Sequence, residues 1–156
     1  MGNDAGNSVS QAANVRYLEA LAGVAETKTV RELAAPLCRR VTEPGAKAPR
    51  QVRALNPLAA DDAALLRAIS DPKWMVNDLR NRDLVPLLYA TPTEDPAERR
   101  RRSARVTRLL RLLRGHGLLH KVPHTHRYQL SVQARTTILA LLAAADANPD
   151  KLTNAA

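Results

Sequence analysis

Residues 95–117 carry the start and stop signals of one long helix. The first four, Asp-Pro-Ala-Glu, supply an N-cap carboxylate, a proline at the first helical position and an acidic third position. Apolar residues then recur at helical spacing until Gly115 and Gly117, either of which can end the helix. We expect Gly117 to be the left-handed cap, which folds Leu118 back against Leu113. Any fold of this chain must accommodate a helix of about twenty residues here.

A hairpin and a further helix are predicted to follow this long helix. Residues 118–122 and 127–130 favour β-structure, and the Pro-His-Thr-His segment between them predicts a turn. Ser131 is placed to cap a last helix. The apolar stripe of that helix contains Ile138, Leu139, Leu141 and Leu142.

Two shorter helices are predicted upstream. The first begins at Asp61 or Asp62, and the second runs to Leu88 with Pro86 inside it, which makes it short or irregular. Residues 74–76 are predicted to be extended. The order helix, strand, helix, long helix, hairpin, helix is that of a winged helix-turn-helix. We therefore expect a mainly α fold with a small two-stranded β-wing.

The remaining chain predicts an N-terminal helical hairpin and irregular segments. Thr29 and Glu32 are spaced as a capping box for the second helix of that hairpin. The predicted organisation is a disordered tail at 1–14, the helical hairpin at 15–41, a Pro-rich basic linker at 42–57, the winged-helix domain at 58–147 and a disordered tail at 148–156.

Charged residues are distributed very unevenly along this chain. Residues 99–145, the basic segment, contain eleven Lys or Arg and no Asp or Glu. The whole chain has a formal charge of +9, so the rest of the chain has 13 bases and 15 acids and a net charge of −2. A one-sided positive field of this kind is typical of a protein that binds a polyanion.

On a helical wheel the basic segment separates into two faces along the long helix. One arc is apolar and contains Val106, Leu109, Leu110 and Leu113. The opposite arc contains Arg100, Arg101, Ala104, Thr107, Arg108 and Arg111. Because a helix fits the major groove of DNA, we expect base contacts from Arg101, Ala104, Arg105, Thr107 and Arg108. Arg111 and Arg114 lie farther along and are expected to contact phosphate.

The predicted hairpin turn adds a second basic cluster. Lys121, His124, His126 and Arg127 surround the turn and are expected to contact the adjacent backbone or minor groove. A charged helix face can also be simply solvated. Solvated faces usually mix both signs, however, and this helix has no acid after Glu98, so its arginines are expected to repel one another.

The sequence offers little support for other kinds of site. No cofactor, metal site or catalytic group is predicted, because Cys38 is the only cysteine, no Gly-rich phosphate loop occurs, and the four histidines have no acid close by in sequence. No apolar run approaches the length of a membrane span. We expect a cytoplasmic protein, associated with the nucleoid, that is not an enzyme.

Two segments carry a resemblance to known families. The sequence from Arg105 to Leu119, followed by Arg-Tyr-Gln-Leu-Ser from Arg127, resembles the winged-helix domains of bacterial regulators of the MarR and ArsR types. Together with Asn-Arg-Asp-Leu at 81–84, it more closely resembles the C-terminal region of long, uncharacterised bacterial proteins found near mobile elements. The resemblance implies a winged helix and a role in transcription regulation or as a mobile-element accessory protein.

The pattern therefore predicts binding to double-stranded DNA, with the long helix in the major groove. Two alternatives remain open at this stage. One is a protein-interaction module whose basic face docks an acidic partner, and the other is a double-stranded RNA binder. Residues 15–41 are the expected contact to a second copy of the chain or to a larger partner protein.

Overall fold

Five α-helices and two small antiparallel sheets form the part of the chain that the computed structural model describes, residues 28–45 and 47–147. A 3₁₀ helix at Pro72–Met75 joins the second helix to the third strand. In chain order the main elements are α1 (Val30–Ala34), β1 (Val41–Thr42), β2 (Gln51–Val52), α2 (Ala60–Ile69), β3 (Leu79–Arg80), α3 (Asn81–Leu88), α4 (Pro96–Gly115), β4 (Leu119–Lys121), β5 (Arg127–Leu130) and α5 (Val132–Ala147).

The long helix α4 begins and ends where its sequence signals predict. The Asp95 carboxylate accepts a hydrogen bond from the Ala97 N–H at 3.0 Å, so the predicted N-cap is confirmed. Gly117 has φ +71, and the Leu118 N–H donates to the Leu113 carbonyl at 3.0 Å. The chain therefore reverses after α4 as expected, and Leu118 is buried.

The core is aliphatic and lies between α2, α3, α4 and α5. The predicted stripes supply it, because they combine helical spacing with large apolar side chains. Its fully buried side chains include Leu65, Leu66, Ile69, Leu84, Val106, Leu110, Leu113 and Ile138.

The predicted hairpin after α4 is confirmed, and it belongs to a larger sheet than expected. β4 and β5 pair antiparallel with Leu119 opposite Leu130. β3 pairs with the other edge of β5, which gives the strand order β3-β5-β4. The two strands predicted after α4 are therefore present, and the short strand predicted between the two upstream helices lies at Leu79–Arg80 and not at 74–76. A strand of two residues is too short to show alternation in the sequence, so only its pairing with β5 identifies it.

Residues 74–76 are not extended as predicted. Asp71 caps a 3₁₀ turn through the Lys73 N–H, and Pro72 occupies its first position. Trp74 is partly buried, and its indole N–H donates to the Ala68 carbonyl at 2.9 Å. The capping signal of Asp-Pro therefore outweighs the β-propensity of the residues that follow it.

The interpretation of residues 42–57 as a linker is also wrong. β1 and β2 pair antiparallel, with Val41 opposite Val52. We call these strands, together with the short segment that follows them, the N-terminal hairpin, residues 41–45 and 47–55. Val52 and the following Leu55 belong to the core. The Leu55 N–H also donates to the Leu37 carbonyl at 2.8 Å. The prolines of this segment favour turns, and they do not prevent the segment from packing against the core.

The helical hairpin predicted at 15–41 is described only in its second half. Thr29 and Glu32 form the predicted capping box at the start of α1, and the helix stops at Ala34, before Pro36. α1 packs against α5. The helix predicted around residues 14–25 and the tails predicted at 1–14 and 148–156 lie outside the described residues.

Candidate nucleic-acid interface

The two faces predicted for α4 are present in the structure. Val106, Leu110 and Leu113 are fully buried and Leu109 is half-buried, so the apolar arc is confirmed. The opposite arc is open to solvent over most of its length. Its exposed members are Arg100, Arg101, Ala104, Thr107 and Arg108, and Arg111 is half-buried.

The expectation that these arginines have no acidic partners is wrong for several of them. The missing carboxylates come from other elements, which the local sequence could not reveal. Glu43 of the N-terminal hairpin lies 3.7 Å from Arg111 Nε and 3.8 Å from Arg114 Nη1. Asp61 of α2 lies 4.0 Å from Arg105 Nη2.

The first turn of α4 is fixed by a local network. Glu98 contacts Arg102 at 3.0 Å and Arg101 at 3.3 Å. The Arg102 side chain is only 16% exposed and lies over the Tyr89 ring, 4.8 Å from its centroid. Arg102 therefore holds the loop before α4 in place and contributes little to the outer surface.

A smaller set of bases keeps its charge uncompensated. No carboxylate in residues 28–45 or 47–147 forms an ion pair with Arg99, Arg100, Arg108 or Lys121. Arg100 and Arg108 lie on the exposed arc. Arg135, although part of the basic segment, is buried, and its guanidinium contacts Met75 Sδ. Within the basic segment, the unpaired positive charge therefore belongs to fewer residues than the charge count indicates.

Asn81 connects α3 to α4 through its side-chain amide. Its Nδ2 donates to the Ser103 carbonyl at 3.0 Å and to Thr107 Oγ1 at 2.9 Å, and its Oδ1 accepts from Ser103 Oγ. Arg80, not Asn81, occupies the N-cap of α3. Asn81 thus fixes the start of α3 against the middle of α4. The Thr107 hydroxyl is committed to this contact, which leaves mainly its methyl group for an outside partner.

The tip of the second hairpin is basic and exposed, as predicted. We call residues 119–130 the C-terminal hairpin. Lys121, His124, His126 and Arg127 are all exposed, and Arg127 Nη1 lies 3.6 Å from Asp78 Oδ2. His124 has φ +57, and the Thr125 N–H donates to the Val122 carbonyl. Proline followed by a left-handed residue gives a tight turn that presents the imidazoles outward.

The N-terminal hairpin lies along the C-terminal half of α4. A Cβ atom on Gly115 would lie 2.5 Å from Val52 Cγ2, so only glycine permits this approach. His116 Nε2 lies 2.8 Å from the Arg53 carbonyl oxygen. These contacts place Glu43 beside the last arginines of the helix, where its side chain is only 10% exposed. No local sequence signal indicates this contact, because 63 positions separate Arg53 from His116.

A bidentate ion pair anchors the residue that follows β2. Arg53 Nη1 and Nη2 donate to the two carboxylate oxygens of Asp62 at 2.9 and 2.6 Å. The Asn56 N–H donates to the same carboxylate, and Asp62 is buried. The Arg53 hydrogen bonds lower the pKa of Asp62 below its ordinary value, and the Asn56 N–H lowers it further. Asp62 therefore does not cap α2 as the sequence suggests, because its carboxylate accepts hydrogen bonds from Arg53 and Asn56.

The described residues give no support for two other kinds of site. No group of three His, Cys, Asp or Glu within residues 28–45 and 47–147 could hold a metal ion. None of the described helices is both long and apolar enough to cross a membrane.

Comparison with protein-family models, with curated proteins and with solved structures finds no match for this chain.

Proposed function

We propose that this chain binds double-stranded DNA as a winged helix-turn-helix, with α4 as the recognition helix. The order α2, β3, α3, α4, β4, β5 and the strand order β3-β5-β4 support this assignment. In such a fold the second helix of the pair enters the major groove and the hairpin after it contacts the flanking DNA. The C-terminal hairpin is then the wing.

The packing of α3 against α4 supports the same assignment. A helix-turn-helix needs its two helices fixed at one angle, because that angle decides how the second helix meets the groove. Asn81 supplies such a connection through Ser103 and Thr107, in addition to the apolar contacts of Leu84. Its amide joins Ser103 to Thr107, one turn apart on α4, and Arg100 and Arg108 remain exposed.

The observation that carries the proposal is the uncompensated charge on the exposed arc of α4. The fold brings carboxylates to Arg105, Arg111 and Arg114 but none of its described residues neutralises Arg100 or Arg108. Like charges on one helix face repel one another, and a polyanion removes that cost. In this proposal Arg100, Arg101 and Ala104 contact base edges, and Lys121 and Arg127 of the wing contact phosphate.

The biological setting that we propose follows from the resemblance of residues 81–84, 105–119 and 127–131 to bacterial winged-helix proteins. It is a cytoplasmic, nucleoid-associated role in transcription regulation or as an accessory protein of a mobile element.

Binding to mixed-sequence duplex DNA at several salt concentrations tests the proposal. We expect the logarithm of the binding constant to fall linearly with the logarithm of the salt concentration, because each neutralised phosphate releases a counterion. Arg100→Ala should weaken binding to a selected site by about 1–3 kcal/mol if Arg100 contacts a base. Arg67→Ala, on α2 and paired with Asp146, is the matched control.

Other partners would give different results in the same assay. Absence of duplex DNA binding at low salt would overturn the proposal. Preference for duplex RNA in a competition experiment would indicate a double-stranded RNA binder. Salt-sensitive binding to an acidic protein alone would indicate an interaction module.

A further inference from the structure

A groove of about 600 Å³ lies between the N-terminal hairpin and α4. Four arginines line it, and we call it the arginine groove: Arg53, Arg105, Arg108 and Arg111. Three aliphatic side chains, those of Val52, Leu109 and Leu112, complete its lining. Arg53 comes from outside the basic segment, so only the fold brings the four guanidinium groups around one space.

Three of these arginines lie within 4.0 Å of carboxylates that do not line the groove. Asp62 binds Arg53, Asp61 lies 4.0 Å from Arg105, and Glu43 lies 3.7 Å from Arg111. A guanidinium has five N–H donors, so an arginine that is paired with one carboxylate keeps other donors for a ligand.

Arg108 differs from its three neighbours. It lines the groove, and no carboxylate within the described part of the chain pairs with it. Four cations around one space create a local field that favours an anion. Guanidinium groups bind the oxygens of phosphate in pairs, which suits a tetrahedral anion reached from several sides.

We propose that the arginine groove binds a phosphate group, with Arg108 as its central ligand and Arg53 as a ligand supplied by the N-terminal hairpin. The phosphate belongs either to the DNA backbone or to a free phosphorylated molecule. Only the first source rests on the proposed function. The assignment replaces the base contact that the sequence predicts for Arg108 with a contact that is independent of base sequence.

Inorganic pyrophosphate is the probe for this proposal. Its binding to the full chain can be measured by calorimetry at about 0.1 M ionic strength, where distant charges are largely screened. Arg108→Gln should lower the affinity at least about tenfold, since it removes hydrogen bonds to a charged ligand. Arg99→Gln removes the same charge from the same exposed helix, but Arg99 does not line the groove. It should change the affinity by less than about twofold.

Competition with duplex DNA separates the two sources of phosphate. If pyrophosphate displaces the duplex and Arg108→Gln weakens two unrelated duplexes equally, the groove holds a backbone phosphate. If pyrophosphate binds through Arg108 while the chain binds no duplex, the groove stands and its ligand is a small phosphorylated molecule, but the proposed function fails.

Two results would overturn the groove proposal. One is the absence of saturable pyrophosphate binding, and the other is an equal loss of affinity in Arg108→Gln and Arg99→Gln. Duplex DNA binding that survives either result would leave the proposed function in place. Equal unfolding midpoints for the two variants would show that neither result arises from a loss of fold.

Discussion

The N-terminal hairpin and the C-terminal hairpin both carry basic residues, yet they differ in how they meet the rest of the protein. The first is packed against α4 through Val52, and its Glu43 side chain is nearly enclosed beside two arginines. The second joins the central sheet through β5 but leaves His124 and His126 exposed at its tip.

The difference lies in what each hairpin adds besides its bases. The N-terminal hairpin packs Val52 against α4 and brings Glu43 beside two arginines of that helix, although its own Lys47 and Arg50 are exposed. The turn of the C-terminal hairpin leaves its basic side chains exposed and brings no carboxylate to α4. We therefore expect substitutions in the first hairpin to act mainly on stability, and substitutions in the second to act mainly on binding.

The largest expected effect is a loss of stability when a core side chain of the N-terminal hairpin is shortened. Leu55 has no exposed surface, so Leu55→Ala should lower the free energy of unfolding by about 2–5 kcal/mol. Leu58→Ala, the same change at a side chain that is 70% exposed, should shift it by about 0.5 kcal/mol or less. Denaturant unfolding followed by circular dichroism measures both. Equal small losses would indicate that residues 42–57 are a linker after all.

The second effect is expected in the C-terminal hairpin, where substitutions should change DNA binding and leave stability unchanged. Replacing both Lys121 and Arg127 by Gln should reduce the salt dependence of duplex DNA binding by about two units, because each phosphate contact contributes about 0.9. Stability should hardly change, since both residues are exposed. Replacing Arg67 and Lys73 by Gln removes the same charge from other elements and serves as the control. An equal decrease in salt dependence in the control would show that the C-terminal hairpin has no special role in DNA binding.

A smaller effect on stability is expected at low pH. The folded pKa of Asp62 lies below its ordinary value of 3.8, mainly because Arg53 donates hydrogen bonds to it. The unfolded state therefore binds more protons in this range. The ion pair stabilises the fold above pH 3.8, and that stabilisation is lost as the pH falls through the folded pKa.

Unfolding midpoints measured from about pH 6 down to about pH 2 check this prediction. Asp62→Asn should be less stable at pH 6 and should show a flatter dependence on pH than the wild type. The result would contradict the role of the ion pair if the variant and the wild type lost stability in parallel.

The smallest effect is expected from the acid that the N-terminal hairpin brings to α4. Glu43→Gln frees Arg111 and Arg114, so it should tighten duplex DNA binding, by at most about 1 kcal/mol because such pairs are weak. Asp71→Asn removes a similar ion pair, with Lys73, away from α4 and should leave binding unchanged. Fluorescence anisotropy at fixed salt can resolve this difference. Weaker binding in Glu43→Gln would mean that the hairpin supports the interface and does not mask part of it.

Local signals were sufficient for the helices and for the turns next to them. The Asp95 cap, the left-handed Gly117 and the capping box of α1 all depend on residues within four positions of one another. Such signals depend on interactions within a single turn, so the residues that make them are close together in the sequence. The exposed arc of α4 follows equally directly from the spacing of its buried leucines.

Contacts between segments that are distant in the sequence could not be predicted from such local signals. The strand β3 exists only because β5 pairs with it, and the N-terminal hairpin is ordered by Leu37 and Gly115. The proline-rich composition of residues 42–57 favours turns whether or not the segment packs, so it could not separate a linker from a hairpin.

The sequence by itself determined the long helix α4, its apolar and basic faces and the tight turn that follows it, because periodicity and capping are local. Only the tertiary structure decided which arginines remain uncompensated. Coulombic pairing depends on distance in space, and Glu43, Asp61 and Asp78 reach the basic segment from elements far from it in sequence. The fold also brought Arg53 beside α4, which converts one face of a helix into a groove.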